Sequence, residues 1–314
     1  MDQRQIGRSG LRVSTVGLGC NNFGWTIDQP ASDKVVAKAL DLGIKLFDTA
    51  DRYGAVGGDS EIVLGRALGA RRKDIVLLTK FGVDLSNARI RNSSRHYIMR
   101  AVEASLQRLG TDYIDVYMIH WPDHGTPMQE TLRALDDLVR SGKVRYIACS
   151  NLETWRVADA LWTSKHHGLE NFICTQAEYN LLNRSAEHDL LPALEHYGLG
   201  LIPYYPLASG LLTGKYTSGN GRAEGRLKDN FLRLGDTFLT ERNLGIVRTL
   251  EAFCRERGHS LLELAISWLA AQRTVCSVIC GATQAEQVEQ NVAAAGWALS
   301  AAELAQVDLL TRAS

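Results

Sequence analysis

"LFDTADRYG", residues 46–54, is the stretch on which the reading of this 314-residue chain turns. An apolar lead-in ends in Asp48, and five residues later come Tyr53 and Gly54. A short β-prone run that ends in an ionisable group reads as a buried strand delivering a functional side chain at its mouth.

Working outward, the run "IKLFDTA", ending at Ala50, is one of eight of its kind. "TVGLGC" precedes it, ending at Cys20. After it come "DIVLLTK" (to Lys80), "YIDVYMIH" (to His120), "VRYIACS" (to Ser150), "FICTQAE" (to Glu178), "LGLIPYYP" (to Pro206) and "VCSVICGA" (to Ala282). Polar loops and amphipathic stretches separate them. "SDKVVAKALDLG" offers a Ser or Asp cap and a terminal Gly, and "PMQETLRALDDLVRSG" opens with Pro and closes with Gly. "SSRHYIMRAVEASLQRLG" puts Ile98, Val102, Leu106 and Leu109 on one face. Strands alternating with helices imply parallel pairing, and eight units in about 300 residues match a closed (β/α)8 barrel. "RQIGRSGLRVS" at the start adds a short β-hairpin around a Gly turn. The expected architecture is one barrel domain over residues 1–314. A Rossmann fold is the alternative, but no G-x-G-x-x-G stands at a strand-to-helix turn; "GLGCNNFG" has the wrong spacing.

Composition excludes several classes. Lysine plus arginine equals aspartate plus glutamate at 35 each, so no net field recommends nucleic acid or an anionic membrane as partner. The N-terminus lacks a signal-like apolar run and no uncharged stretch reaches the roughly 20 residues of a membrane span, which points to the cytoplasm. Six cysteines (20, 149, 174, 254, 276 and 280) form no CxxC pair and no zinc spacing, and read as small buried hydrophobes. No H-x-H strand motif appears, and His166 and His167 read as a solvated face, so no metal is expected. Oligomeric state leaves no mark on the sequence.

Barrel enzymes collect their reactive groups at the C-terminal ends of strands. Asp48 and Tyr53 follow the second run, Lys80 closes the third and His120 the fourth. Each alone reads as a boundary residue; on neighbouring strands they can converge. A free phenol, with a pKa of about 10, is a poor acid or base at neutral pH. A lysine ammonium beside it is expected to pull that value down, with a carboxylate holding the lysine charged and an uncharged histidine bonding a substrate oxygen. No nucleophile accompanies them, so a hydride must come from a cofactor. The rival reading is a Schiff-base lysine at position 80, which the carboxylate, phenol and imidazole around it disfavour.

Taken together, "FDTADRYG", "LLTK", "MIHWPD", "RYIACSN", "TQAEYNLL", "PYYPLASGLLTGKY" and "SVICGATQAEQVEQN" resemble the aldo-keto reductase superfamily, in its order and over almost the whole chain. The resemblance implies a catalytic tetrad of Asp48, Tyr53, Lys80 and His120, with Tyr53 as general acid, and a nicotinamide lying across the barrel mouth. By the same token Ser150, Asn151 and Gln176 would bond the carboxamide and Tyr204 would stack on the ring. On local sequence alone, Ser-Asn there could equally be a turn or a helix cap. Leu207, Ser209, Gly210 and Lys215 would wrap the pyrophosphate, within a segment of about 30 residues after Pro206 that reads as a binding loop. Gly281, Thr283, Gln287 and Asn291 would meet the adenosine.

The resemblance favours NADP(H), with NAD(H) as the alternative, because no basic residue lies between Cys280 and Arg312 to grip a 2′-phosphate. Arg222, Arg226 and Lys228 in the long loop could supply that charge. An open mouth walled by Trp25, Arg52, Phe81 and Trp121 is expected, receiving a small carbonyl or alcohol substrate. Two alternatives stand beside a carbonyl reductase. One is an NAD-dependent sugar or alcohol dehydrogenase of the same fold; the other is a cofactor-binding regulatory subunit, as in relatives that serve potassium channels.

Overall fold

A computed structural model describes residues 1–84, 90–216, 227 and 234–312. A hairpin of β1 (Gln3–Gln5) and β2 (Arg12–Ser14) leads into eight parallel strands: β3 (Val16–Gly19), β4 (Leu46–Asp48), β5 (Val76–Phe81), β6 (Ile114–Ile119), β7 (Val144–Ser150), β8 (Phe172–Glu178), β9 (Gly200–Tyr204) and β10 (Val278–Gly281). They neighbour one another in chain order, and β10 returns to pair with β3. Closure comes from Leu201, whose N–H donates to Thr274 O at 2.7 Å and whose carbonyl accepts from Cys276 N at 2.9 Å. The expected (β/α)8 barrel with its N-terminal hairpin is therefore the fold.

The helices are α1 (Gln29–Asp41), α2 (Asp59–Leu68), α3 (Arg95–Leu109), α4 (Met128–Arg140), α5 (Thr154–His167), α6 (Leu190–Tyr197), α7 (Leu234–Phe238), α8 (Glu241–Glu256), α9 (Leu261–Ala271), α10 (Ala285–Ala293) and α11 (Ala301–Arg312). Local chemistry sets their ends. Ser94 accepts from Tyr97 N to start α3, and Gly110, left-handed at φ +62°, stops it. Helix α1 starts earlier than "SDKVVAKALDLG" suggests, because Asp28 accepts from Ala31 N and Pro30 suits a first turn. None of the helices is long and apolar enough to cross a membrane among the described residues.

Strand alternation divides the core in two. Inward-facing Leu46, Leu78, Val116, Met118, Ala148 and Ile202 fill the barrel, and Ile6 and Val13 of the hairpin close its N-terminal end. Outward-facing residues pack under the helices, where Phe81 and Tyr117 belong. All six cysteines are buried and unpaired with one another.

Candidate active site at the barrel mouth

Inward alternation along β5 runs from Leu78 to Lys80, which carries the ammonium up the barrel to its C-terminal rim. Lys80 has no solvent exposure at all. Its Nζ donates to Asp48 Oδ1 at 2.6 Å and to Thr49 O at 2.9 Å, and lies 3.4 Å from Tyr53 Oη. A buried ammonium persists only when its charge is answered, and the Asp48 carboxylate answers it. Gln176 Nε2, from β8, donates to the same Asp48 oxygen at 3.0 Å. The His120 ring meets the Tyr53 ring edge-on, with centroids 5.5 Å apart. The structure thus brings Asp48, Tyr53, Lys80 and His120 together.

Tyr53 is placed by the segment that follows β4. Thr49 N donates to Leu78 O at 2.9 Å and Asp51 N to Lys80 O at 3.0 Å, extending the parallel ladder beyond the strand. The chain then turns, with Tyr53 N donating to Ala50 O at 3.1 Å and Ser60 N to Tyr53 O at 3.2 Å. Gly54 completes the turn at φ +117°, where a Cβ would come within 2.5 Å of Asp59 Cβ. Behind the turn lies a buried polar layer that sequence reasoning missed. Glu61 accepts from Thr79 Oγ1 at 2.5 Å and Arg108 Nε at 2.7 Å, while the Tyr97 hydroxyl donates to Val83 O at 2.8 Å and lies 3.4 Å from Asp51 Oδ2. Burial, then the nearby Glu61, pushes the Asp51 carboxyl well above the usual carboxylate range.

Electrostatics at the site correct one expectation. The Tyr53 phenol is pushed well above its ordinary value, first by burial and then by the Asp48 carboxylate. The lowering expected from Lys80 does not prevail, because burial disfavours the phenolate and the Asp48 carboxylate, itself 2.6 Å from the Lys80 ammonium, adds to the rise. The His120 imidazole is driven well below its ordinary value, by burial first and then by the positive charges of Lys80, Arg91 and Arg52. That direction favours the neutral ring, and its Nδ1 is buried with no hydrogen-bond partner among the described residues.

The residues proposed to hold a dinucleotide occupy the adjoining arc, from β7 to β10. Ser150 ends β7, and Asn151 follows in the left-handed region at φ +59°. Asn151 Nδ2 donates to His120 O and to Ser150 Oγ, each at 3.0 Å, and its Oδ1 accepts from Tyr204 Oη at 2.9 Å. The pair is not a helix cap, since Glu153 precedes α5. After Tyr204, the last residue of β9, the left-handed residues Tyr205, Ala208, Ser209 and Gly210 follow in quick succession. Such clustering of unfavourable backbone is typical of ligand sites. Ser209 Oγ is buried with no partner among the described residues, half-buried Leu207 precedes it, and Lys215 is exposed. At the far end Gly281 is exposed, Thr283 N donates to Gln287 Oε1 at 2.8 Å, and Asn291 is buried on α10. Ser209 Oγ, without a partner among the described residues, and the open Gly281 edge fit an extended, hydrogen-bonding ligand. Arg222, Arg226 and Lys228 lie outside the described residues.

Of the proposed pocket walls, Trp25, Arg52 and Trp121 are exposed at the mouth, and the Trp121 ring lies beside His120 with centroids 6.2 Å apart. Phe81 is not a wall. With Lys80 facing inward its neighbour must face outward, and the Phe81 ring is fully buried against Tyr117, centroids 4.6 Å apart. Arg91, which nothing in "RIRNSS" distinguishes, lies instead at the rim, its Cζ 5.5 Å from the Trp121 ring centre. Two clefts, of about 800 Å3 beside Tyr113 and about 590 Å3 beside Gly198, open at the N-terminal end of the barrel and touch none of these groups. Among the described residues no three histidine, cysteine or carboxylate side chains are placed to hold a metal ion.

A family model described as the aldo/keto reductase family matches residues 15–312. The chain is 37% identical to an L-glyceraldehyde 3-phosphate reductase of Escherichia coli O157:H7, over 98% of this chain and 92% of that protein. It is also 37% identical to a probable voltage-gated potassium channel subunit beta of Oryza sativa subsp. japonica, over 94% and 91% of the two chains. An uncharacterized oxidoreductase of Bacillus subtilis is 34% identical over the same shares.

Proposed function

The chain belongs to the aldo/keto reductase family and is an oxidoreductase, and from that premise we propose that it reduces carbonyl compounds with a nicotinamide cofactor, Tyr53 giving the proton. The observation that carries this reading is Lys80 Nζ, bonded to Asp48 at 2.6 Å and 3.4 Å from the Tyr53 hydroxyl. A reduced nicotinamide, when bound, supplies hydride to the carbonyl carbon.

The chain's own residues do the rest. With its pKa raised, Tyr53 holds its proton at neutral pH and is loaded to deliver it from Oη to the carbonyl oxygen. The phenolate so formed lies against the Lys80 ammonium and regains its proton from solvent. Neutral His120 bonds the same oxygen without competing as an acid. Ser150, Asn151 and Gln176 would hold the carboxamide and Tyr204 the face of the ring. Leu207, Ser209, Gly210 and Lys215 would hold the pyrophosphate, and Gly281, Thr283, Gln287 and Asn291 the adenosine.

NADPH is the proposed cofactor. The lack of any basic residue from 281 to 311 favours the NADH alternative, and the phosphate would then rely on cations elsewhere. A channel-subunit role, suggested by relatives carrying that name, differs from this reading in needing no turnover. The test is absorbance at 340 nm with both cofactors against aldehydes, ketones and sugars, in both directions. Steady oxidation of NADPH by an aldehyde is expected; cofactor binding without turnover of any carbonyl would overturn the reading.

A further inference from the structure

Loops after four successive strands, β3 to β6, each leave a large apolar side chain exposed at the mouth: Trp25, Val56, Ile90 and Trp121. Two arginines stand among them. Arg52 directly precedes Tyr53; its side chain is exposed and makes no hydrogen bond or ion pair with any described residue. Arg91 stacks over Trp121, whose ring lies beside His120. Lys80, the third cation at the site, is buried and bonded to Asp48. Asp123, in the loop after β6, is held in place by bonds from Ser93 N, Gly125 N and the Thr126 hydroxyl. Arg52 and Arg91 thus place two guanidinium groups on the substrate side of the mouth, near His120.

We infer that Arg52, supported by Arg91 on Trp121, is a specificity-determining residue that takes a phosphate or carboxylate on the substrate whose carbonyl lies between Tyr53 and His120. The inference rests on the reductase reading. A guanidinium presents a planar fork that matches either anion with two parallel hydrogen bonds. Rigid aromatic support keeps Arg91 from being lost to solvent. The exposed Arg52 charge also draws an anionic carbonyl compound toward the mouth before it docks, an effect that salt weakens.

The experiment compares kcat/KM, with NADPH, for matched pairs: glycolaldehyde phosphate against glycolaldehyde, and succinic semialdehyde against butyraldehyde. The wild-type protein is expected to favour the anionic member of at least one pair, and which pair responds identifies phosphate or carboxylate. Arg52→Gln should lower that anionic-to-neutral ratio about tenfold, and Arg91→Gln by less. Should either variant fold poorly, the wild-type ratio itself should fall as ionic strength rises to about 0.2 M. Turnover of both members with no anionic preference, or equal losses for both in Arg52→Gln, would overturn the inference and leave the reductase reading intact. No turnover of any member would overturn that reading, and this inference with it.

Discussion

Gly54 faces Asp59 so closely that a Cβ at position 54 would lie 2.5 Å from Asp59 Cβ, in a backbone conformation, φ +117°, that other residues rarely adopt. The contact fixes the turn that presents Tyr53. Gly54→Ala must therefore move either the turn or the start of α2. It is expected to cost about 1–3 kcal/mol of stability, the scale of one strained backbone position, and to lower turnover more than cofactor affinity. Denaturant midpoints and kcat measured on the same preparation check both; an unstrained, fully active variant would contradict the placement.

Lys80 and Asp48 form a buried ion pair at 2.6 Å with almost no exposure on either side. Lys80→Met strands the Asp48 carboxylate and should destabilise the fold by about 3–5 kcal/mol, whereas Lys80→Met with Asp48→Leu should regain much of that loss. Chemical denaturation of the two variants decides it. A single variant as stable as the wild type would show that the pair does not carry the charge balance described.

The pH dependence follows from the directions of two shifts. Tyr53, raised above its ordinary value of about 10, keeps its proton until strongly alkaline pH, and His120, lowered below about 6.5, stays neutral down into acid. Carbonyl reduction should then run flat across neutral pH and fall only on the alkaline side. Alcohol oxidation, which needs the phenolate, should rise with pH. Rates measured from about pH 5 to pH 10 would contradict this if reduction showed a limb near neutrality.

Intrinsic fluorescence titration tests the cofactor. Tighter binding of NADPH than NADH is expected, with cations outside residues 281–311 meeting the 2′-phosphate. A clear preference for NADH would reverse the assignment.

Much of this was legible in the sequence, for identifiable reasons. Parallel strands buried on both faces read as short apolar runs, so β3 to β10 match the stretches that end at Cys20, Ala50, Lys80, His120, Ser150, Glu178, Pro206 and Ala282, with β5 alone running one residue past its stretch, to Phe81. Asp48, Lys80 and His120 stand at strand ends, where a barrel must aim them at the mouth. Phe81 was misread because the period of two was not carried one residue beyond Lys80. The start of α1 was missed because Asp28 lies outside the apolar pattern. Tyr53's shift could not be read from residue types, since its sign is set first by how deeply the fold buries the phenol and then by the Asp48 carboxylate beside it. Asp51, Glu61 and Arg91 had no signal at all: their roles arise from side chains brought in from distant elements.

The central claim is that the Tyr53 hydroxyl delivers the proton. Tyr53→Phe removes that oxygen and little else, so NADPH should bind with near wild-type affinity while kcat for aldehyde reduction falls by roughly 10²- to 10⁴-fold. Wild-type turnover by Tyr53→Phe would contradict the claim.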